Sequence, residues 1–301
     1  MKKTLALILT LALSLAALTG CSSKTEPPAD NSADNSAQTE APAETTLSGS
    51  VSTNGSTSME KVIGILSEQF MEDNSDVTVT YDATGSGTGI EAVANGTCDI
   101  GLASRALKDT ETEKGLVATT VALDGIAIIV NADCPVDDLT VEQISDIFTG
   151  KITSWADFGG KGDIACIGRE AGSGTRDGFE SITKTTDQCV LSQELTSTGA
   201  VIAAVKSSAN AIGYASLSAV EGQEGIKVLT VNEVECTAEN IINGTYVVQR
   251  PFNLVTKDGA ELSEAAQAFF DYMVSVDAAE LITLAGAVPV AQAEAETEPA
   301  K

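Results

Sequence analysis

Apolar positions recur along the chain with two periods that keep exchanging. Met59, Val62, Ile63, Leu66 and Phe70 fall at helical spacing, and Val77-Thr78-Val79-Thr80-Tyr81 then alternates with the period of a strand. Residues 90–94 predict a short helix and residues 98–103 a buried strand. The longest strand-like run is 121–130, broken by Asp124-Gly125. Thr140, followed three positions on by Gln143, is a capping box that opens a helix running through Phe148. Residues 164–167 read as a strand leading into Gly172-Ser173-Gly174-Thr175 and a helix to about Thr183. A helix at 200–205, strands at 211–214 and 226–231, and an extended run at 246–256 containing Pro251 come next, and Ser263 caps a last helix pair ending at Leu284. Such alternation predicts an α/β body with parallel or mixed sheets. No internal repeat is visible.

The two ends follow neither period. Lys2 and Lys3 precede an apolar run over 5–17, too short to cross a bilayer comfortably, and Leu18-Thr19-Gly20-Cys21 matches a lipobox. Residues 1–20 therefore read as a lipoprotein signal peptide. The lipobox match implies cleavage before Cys21, lipidation of its thiol and anchorage at the outer face of the cell membrane. After Cys21, residues up to 46 include no aliphatic side chain larger than alanine, so 21–46 reads as a disordered, solvated tether. Residues 292–301, rich in Ala and Glu, read as a disordered tail. The folded body should begin near Leu47.

Composition removes whole classes of function. The 301 residues include no histidine, which excludes a Ser-His-Asp triad, a Cys-His pair and an HExxH zinc site. Against 43 Asp and Glu stand 17 Lys and Arg, a net charge of −26, so no nucleic-acid partner is expected. With Cys21 lipidated, Cys98, Cys134, Cys166, Cys189 and Cys236 remain, and no CxxC spacing offers a zinc or iron–sulfur site. They read mostly as buried small apolar residues, with one or two disulfides compatible with an extracellular setting. No catalytic residue, metal or cofactor is expected. So acidic a chain should also repel small anions, which sets it against the next feature.

Three Gly/Ser/Thr segments stand directly before predicted helices. They are Asn54-Gly55-Ser56-Thr57-Ser58, Gly85-Ser86-Gly87-Thr88-Gly89 and Gly172-Ser173-Gly174-Thr175. A helix start offers unpaired backbone N–H groups and a partial positive charge; hydroxyls add donors, and glycine admits a ligand close to the backbone. One such segment alone is an ordinary capped turn, whereas three that converge would make an oxyanion site. None continues as Gly-Lys-Ser/Thr and none fits GxGxxG, so a nucleotide is not indicated. Formal positive charge must come from a few arginines, which can fork onto two oxygens at once. Arg169 lies three residues before Gly172, Arg105 follows Ser104 at a strand end, and Arg176, in the first turn of its helix, reads as a surface ion pair.

Four ordered motifs then carry a resemblance. They are Asn54-Gly55-Ser56-Thr57-Ser58-Met59, Gly101-Leu102-Ala103-Ser104-Arg105, Ile147-Phe148-Thr149-Gly150-Lys151-Ile152-Thr153-Ser154-Trp155 and Arg169-Glu170-Ala171-Gly172-Ser173-Gly174-Thr175-Arg176. In sequence and separation they resemble the phosphate-binding (PstS-type) substrate-binding lipoproteins of phosphate ABC importers, over about residues 48–290. The resemblance implies a two-lobed periplasmic-binding-protein-like fold (type II, Venus flytrap) with mixed sheets and two hinge crossovers, at the runs 121–130 and 246–256. Lobe 1 would comprise 47–125 and 246–291, and lobe 2 would comprise 126–245. It implies a binder, not an enzyme, that holds inorganic phosphate between the lobes and delivers it to the permease and ATPase of an importer.

Carried onto this sequence, the family's contacts fall on Thr57, Ser58, Ser86 and Ser104 on one wall and on Arg169, Ser173, Gly174 and Thr175 on the other. Several members place an Asp after the strand-end serine; here Arg105 stands there and joins the expected set. The phosphate's proton then needs another acceptor, for which Asp124 is the candidate, ahead of Glu170. The same fold binding sulfate, molybdate or tungstate is the near alternative. A surface phosphohydrolase is the distant one, since histidine and any DxDxT or CxxxxxR sequence are missing.

Overall fold

Between residues 46 and 290, the part of the chain described by a computed structural model, the two periods become twelve strands and ten helices. The expected leader, tether and tail lie outside the described residues, Thr46 excepted.

In the first lobe β1 (Gly49–Gly55) pairs in parallel with β2 (Val77–Asp82) on one side and β3 (Ile100–Ala103) on the other. Parallel neighbours need a crossover, which α1 (Glu60–Asp73) and α2 (Ser86–Ala94) supply in turn. The predicted stripe of α1, Val62, Ile63, Leu66 and Phe70, is buried. A single turn, α3 (Asp109–Thr112), precedes the long β4 (Leu116–Asn131).

The second lobe follows as β5 (Asp138–Leu139), α4 (Val141–Phe148), a 3-10 turn at Trp155–Phe158, β6 (Ala165–Arg169), α5 (Gly174–Thr183), β7 (Gln193–Leu195) and α6 (Thr198–Ser207). It continues through β8 (Ala211–Ser216), α7 (Leu217–Val220), β9 (Ile226–Val228), β10 (Thr230–Val231) and α8 (Ala238–Ile242). The chain returns to the first lobe as β11 (Gln249–Lys257), α9 (Glu264–Met273), α10 (Asp277–Leu284) and β12 (Val288–Pro289). Strand order is β2-β1-β3-β11-β4-β8-β6-β7, with parallel and antiparallel pairs mixed.

One strand serves both halves. Up to Gly125, β4 runs antiparallel to β11; from Ile126 it pairs with β8. The hydrophobic core changes at the same place. Ala122 packs with Val51, Leu66, Phe252 and Phe269, whereas Ile126 packs with Phe148, Trp155, Phe179 and Tyr214. The second crossover lies alongside the first: Ile126 N–H donates to the Val248 carbonyl (2.7 Å), and Arg250 stands opposite Asp124 in the ladder. The fold is therefore two-lobed α/β with mixed sheets.

Some local features differ from the sequence reading. α2 starts at Ser86 instead of near Ile90, because its glycines are weak helix formers that tertiary packing nonetheless requires: a Cβ on Gly89 would collide with the Asn54 carbonyl at the end of β1. Asp124-Gly125 marks the change of lobe without interrupting β4. The run 226–231 divides at Leu229, β9 pairing with β4 and β10 with β5. Pro251 is accommodated next to a register shift at Phe252/Asn253, before pairing with β3 begins at Asn253. All five cysteines among the described residues are free thiols.

Candidate oxyanion-binding site

The Gly/Ser/Thr segments converge where the lobes meet, beyond the carboxyl ends of parallel strands, the usual ligand edge of an α/β sheet. Ser56, Thr57 and Ser58 follow β1, Ser86 opens α2 and Ser104 follows β3. From the second lobe come Ser173, Gly174 and Thr175 at the start of α5, and Thr198 at the start of α6. Thr57 is 5% exposed and the other hydroxyl residues no more than 3%, so each hydroxyl must find its partner inside the protein.

They find one another. Ser56 Oγ donates to Ser104 Oγ at 2.8 Å, and the Ser86 and Ser104 hydroxyls lie 3.2 Å apart. Across the lobes, Ser58 meets Thr175 at 2.7 Å and Thr198 at 3.0 Å, and Thr57 meets Thr198 at 3.0 Å. Gly87 N–H donates to the Gly172 carbonyl at 2.9 Å. Gly174 passes so near the first lobe that a Cβ there would collide with Ser86 Oγ and lie 2.6 Å from Ser104 Oγ. Ser173 caps α5 by accepting from Arg176 N–H.

Arg169, buried at the end of β6, brings the formal charge. Its Nη1 donates to Thr57 Oγ1 (3.0 Å) and Thr198 Oγ1 (3.3 Å), one hydroxyl from each lobe. Nε donates to the Leu195 carbonyl (3.1 Å), Nη2 to the Thr196 carbonyl (3.0 Å), and the Glu170 carboxylate stands 3.4 Å from Nη2. Burial lowers the pKa of the guanidinium while Glu170 acts the other way. An arginine remains charged at neutral pH under such opposing influences.

Two expected ligands stand apart from the cluster. The Arg105 guanidinium forks onto Glu111 (2.7 and 2.8 Å) and Nη1 also donates to the Ala106 carbonyl (2.9 Å), while Nε lies 2.9 Å from Asp177 of the second lobe as an ion pair without hydrogen-bond geometry, so the group is turned to carboxylates and not to the cluster. Partial burial of Glu111 acts upward on its carboxyl, but hydrogen bonds from Arg105 and from Lys108 N–H hold it below the usual range. Asp124 is wholly buried. Its Oδ1 accepts from Ser216 Oγ (2.7 Å) and its Oδ2 from Arg250 Nε (3.2 Å) and Nη2 (2.9 Å). None of these bonds reaches the hydroxyl cluster, because Arg250, its cross-strand neighbour, stands between. Burial pushes the Asp124 carboxyl above the usual range, opposed by Arg250. Arg176, read as a surface ion pair, pairs with Glu194 (2.8 Å), which is exposed, but also with the buried Glu180 (2.7 Å), and it donates to the Arg169 carbonyl (3.0 Å), so it is more enclosed than expected.

The sequence reading placed Ser56 in a site segment without counting it among the contacts, and it missed Thr198 and Arg250. Ser197-Thr198-Gly199 before α6 has the chemistry of the other three segments in shorter form, and was a usable signal. Arg250 was legible only as a charge inside an apolar strand run, which demands a buried partner. Beside the cluster opens a cavity of about 560 Å³, lined by Thr57, Ser58 and Thr198 together with Lys61, Lys206 and Glu221. Oriented hydroxyls, helix starts and one buried guanidinium suit a small tetrahedral oxyanion.

Comparison with known proteins bears on that geometry. The family model described as a PBP superfamily domain matches residues 40–277. The chain is 32% identical over 295 residues to the phosphate-binding protein PstS of Bacillus subtilis (strain 168), covering 96% of this chain and 95% of that protein. Among solved structures, a chain from Clostridium perfringens described as a phosphate ABC transporter substrate-binding protein with bound phosphate superposes with a TM-score of 0.76 at 38% identity, covering 80% of this chain and 99% of that one. An ABC-type phosphate transport receptor from Vibrio cholerae superposes with a TM-score of 0.66 at 31% identity, covering 79% and 99%.

Proposed function

Because the chain belongs to the PBP superfamily and, within it, to the PstS phosphate-binding proteins, we propose that it captures inorganic phosphate between its two lobes outside the cell membrane and delivers it to an ABC permease. The observation that carries the reading is the convergence of buried hydroxyls and Arg169 from both lobes on one point. Thr57, Ser58, Ser86, Ser104 and Arg169 with Ser173, Gly174 and Thr175 are the proposed contacts, and Thr198 joins them.

Since each lobe supplies part of the donor set, phosphate binds the closed arrangement better than an open one and shifts the population toward closure. Hydroxyls suit phosphate for a further reason. Near neutral pH phosphate keeps a proton that sulfate lacks, and a hydroxyl can accept as well as donate. Ser58 and Thr175, whose oxygens receive no N–H, are free to take that proton. A lipid on Cys21 would hold the protein at the membrane, with 21–46 as the leash that lets the lobes reach the permease and its ATPase. Nothing is chemically transformed in this reading, and the relatives reported above are binding proteins and transport receptors.

Calorimetric titration with phosphate, arsenate, sulfate and molybdate tests the proposal. Phosphate and arsenate should bind, and sulfate and molybdate should bind much more weakly. Arg169→Ala should weaken phosphate binding by roughly a hundredfold or more, since removing one charge from a buried charge-paired site costs about 3–5 kcal/mol. Sulfate bound more tightly than phosphate, or wild-type affinity in Arg169→Ala, would overturn it.

A further inference from the structure

Two hydroxyls of the cluster already accept a full complement of hydrogen bonds. Thr57 Oγ1 accepts from Arg169 Nη1 (3.0 Å) and from Thr198 N–H (3.2 Å). Ser104 Oγ accepts from Ser56 Oγ (2.8 Å) and from Arg250 Nη1 (3.2 Å). A hydroxyl has one proton and two acceptor sites, so each of these can act only as a donor, and in this structure its proton faces Thr198 Oγ1 (3.0 Å) and Ser86 Oγ (3.2 Å) respectively, the positions from which a bound oxyanion would draw it. Arg169 thus fixes one donor, and Arg250, approaching from the hinge, fixes another.

Arg250 is itself held on every side. Asp124 opposes it across the β4–β11 ladder and takes its Nε and Nη2, and Ser216 from the second lobe anchors the other oxygen of that carboxylate. The guanidinium carbon lies 5.5 Å from the centroid of the Phe252 ring, and the methylenes pass Gly178 of α5, where a Cβ would sit 3.5 Å from Arg250 Cδ. With 3% exposure the side chain has no solvent alternative, and Nη1 can only face Ser104. Ser104 in turn lies at the interlobe face, against Gly174.

We propose that Arg250 is a positioning residue of the binding site: anchored by Asp124, it fills the acceptor capacity of Ser104 and makes that hydroxyl an obligate donor to bound phosphate. The inference rests on the phosphate reading above. It assigns Asp124 the part of an anchor behind the site, and it ties a ligand contact to the place where both crossovers run side by side.

A double-mutant cycle on the protein tests it, with phosphate affinity as the readout and the urea midpoint as a check on folding. Arg250→Lys keeps a cation for Asp124 but lacks the planar fork needed to reach Ser104 as well. Alone it should weaken phosphate binding by roughly tenfold, the size of a typical coupled contact. In a Ser104→Ala background the same change should cost less than about twofold, because the hydroxyl through which it acts is gone. Wild-type affinity in Arg250→Lys, or losses that multiply in the double variant, would overturn the proposal. Should Arg250→Lys fail to fold, the charge-neutral pair Asp124→Asn with Arg250→Gln replaces it in both backgrounds, with the same two outcomes. A wild-type protein that takes up no phosphate would sink the underlying reading; phosphate binding with multiplicative losses would sink the coupling alone.

Discussion

Gly174 shows how little room the site leaves at a single residue. A Cβ there would strike Ser86 Oγ and crowd Ser104 Oγ, both on the opposite lobe. Gly174→Ala should therefore hold the lobes apart without disturbing either core. Overpacking of this kind costs about 1–3 kcal/mol, so phosphate affinity should fall roughly tenfold to a hundredfold while the thermal midpoint of the ligand-free protein stays within a few degrees of wild type. Calorimetry beside a melting curve separates the two effects. At this scale the sequence was legible wherever a side chain acts through its own local motif: Thr57, Ser58, Ser86, Ser104, Ser173 and Thr175 all reach the cluster or cap the helix that forms its wall. It was not legible for Asp124 and Arg105. For Asp124 the direction depends on Arg250, 126 residues further along the chain, whereas Arg105 turns to Glu111, six residues on, a partner that lies outside the strand-end motif.

Among elements, boundaries set by capping chemistry could be read directly. The Thr140–Gln143 box closes in both directions, Gln143 N–H to Thr140 Oγ1 (3.1 Å) and Thr140 N–H to Gln143 Oε1 (2.7 Å), and α4 runs to Phe148 as expected. Thr140→Ala should cost about 1 kcal/mol, seen as a lower urea midpoint with unchanged slope and unchanged phosphate affinity, since α4 supplies none of the cluster's residues and meets α5 at Phe179, beyond its first turn. Boundaries set by tertiary contact could not be read. The first turn of α2 is written in glycines that argue against a helix, and tertiary contact explains them: Gly89 by its approach to Asn54 at the end of β1, and Gly87 by its approach to the Gly172 backbone. The split at Leu229 likewise reflects a change of partner strand, which periodicity does not record.

For the molecule as a whole, the net charge of −26 sets a repulsive long-range field around a site that works by contact. Salt screens that field beyond about 8–10 Å, whereas the donors around the cluster act within about 3 Å. Phosphate affinity should accordingly vary less than about threefold between dilute and physiological salt, while the association rate rises as screening removes the repulsion. Stopped-flow and calorimetric titrations across a salt series would reveal it, and a steep loss of affinity with salt would mean an electrostatic trap instead. Charge does act locally across the cleft. Arg105 and Lys108 reach Asp177 at 2.9 and 3.0 Å, and Lys61 reaches Glu221 at 3.2 Å, each time a cation of the first lobe on an anion of the second.

The pairing of β4 with β11 at the hinge has a mechanical side. The lobes are linked there by two antiparallel strands whose rungs include Gln249 with Gly125 and Arg250 with Asp124. Paired strands bend and twist more readily than they slide, which favours a swing of the lobes about this place over shear. Opening by such a swing would part the hydroxyl contacts, the Arg169–Thr57 bond, the Lys61–Glu221 and Arg105–Asp177 ion pairs and the backbone bond from Gly87 to Gly172, while leaving the rungs at the pivot paired. A carrier built this way can load and unload repeatedly without unravelling any of its sheet.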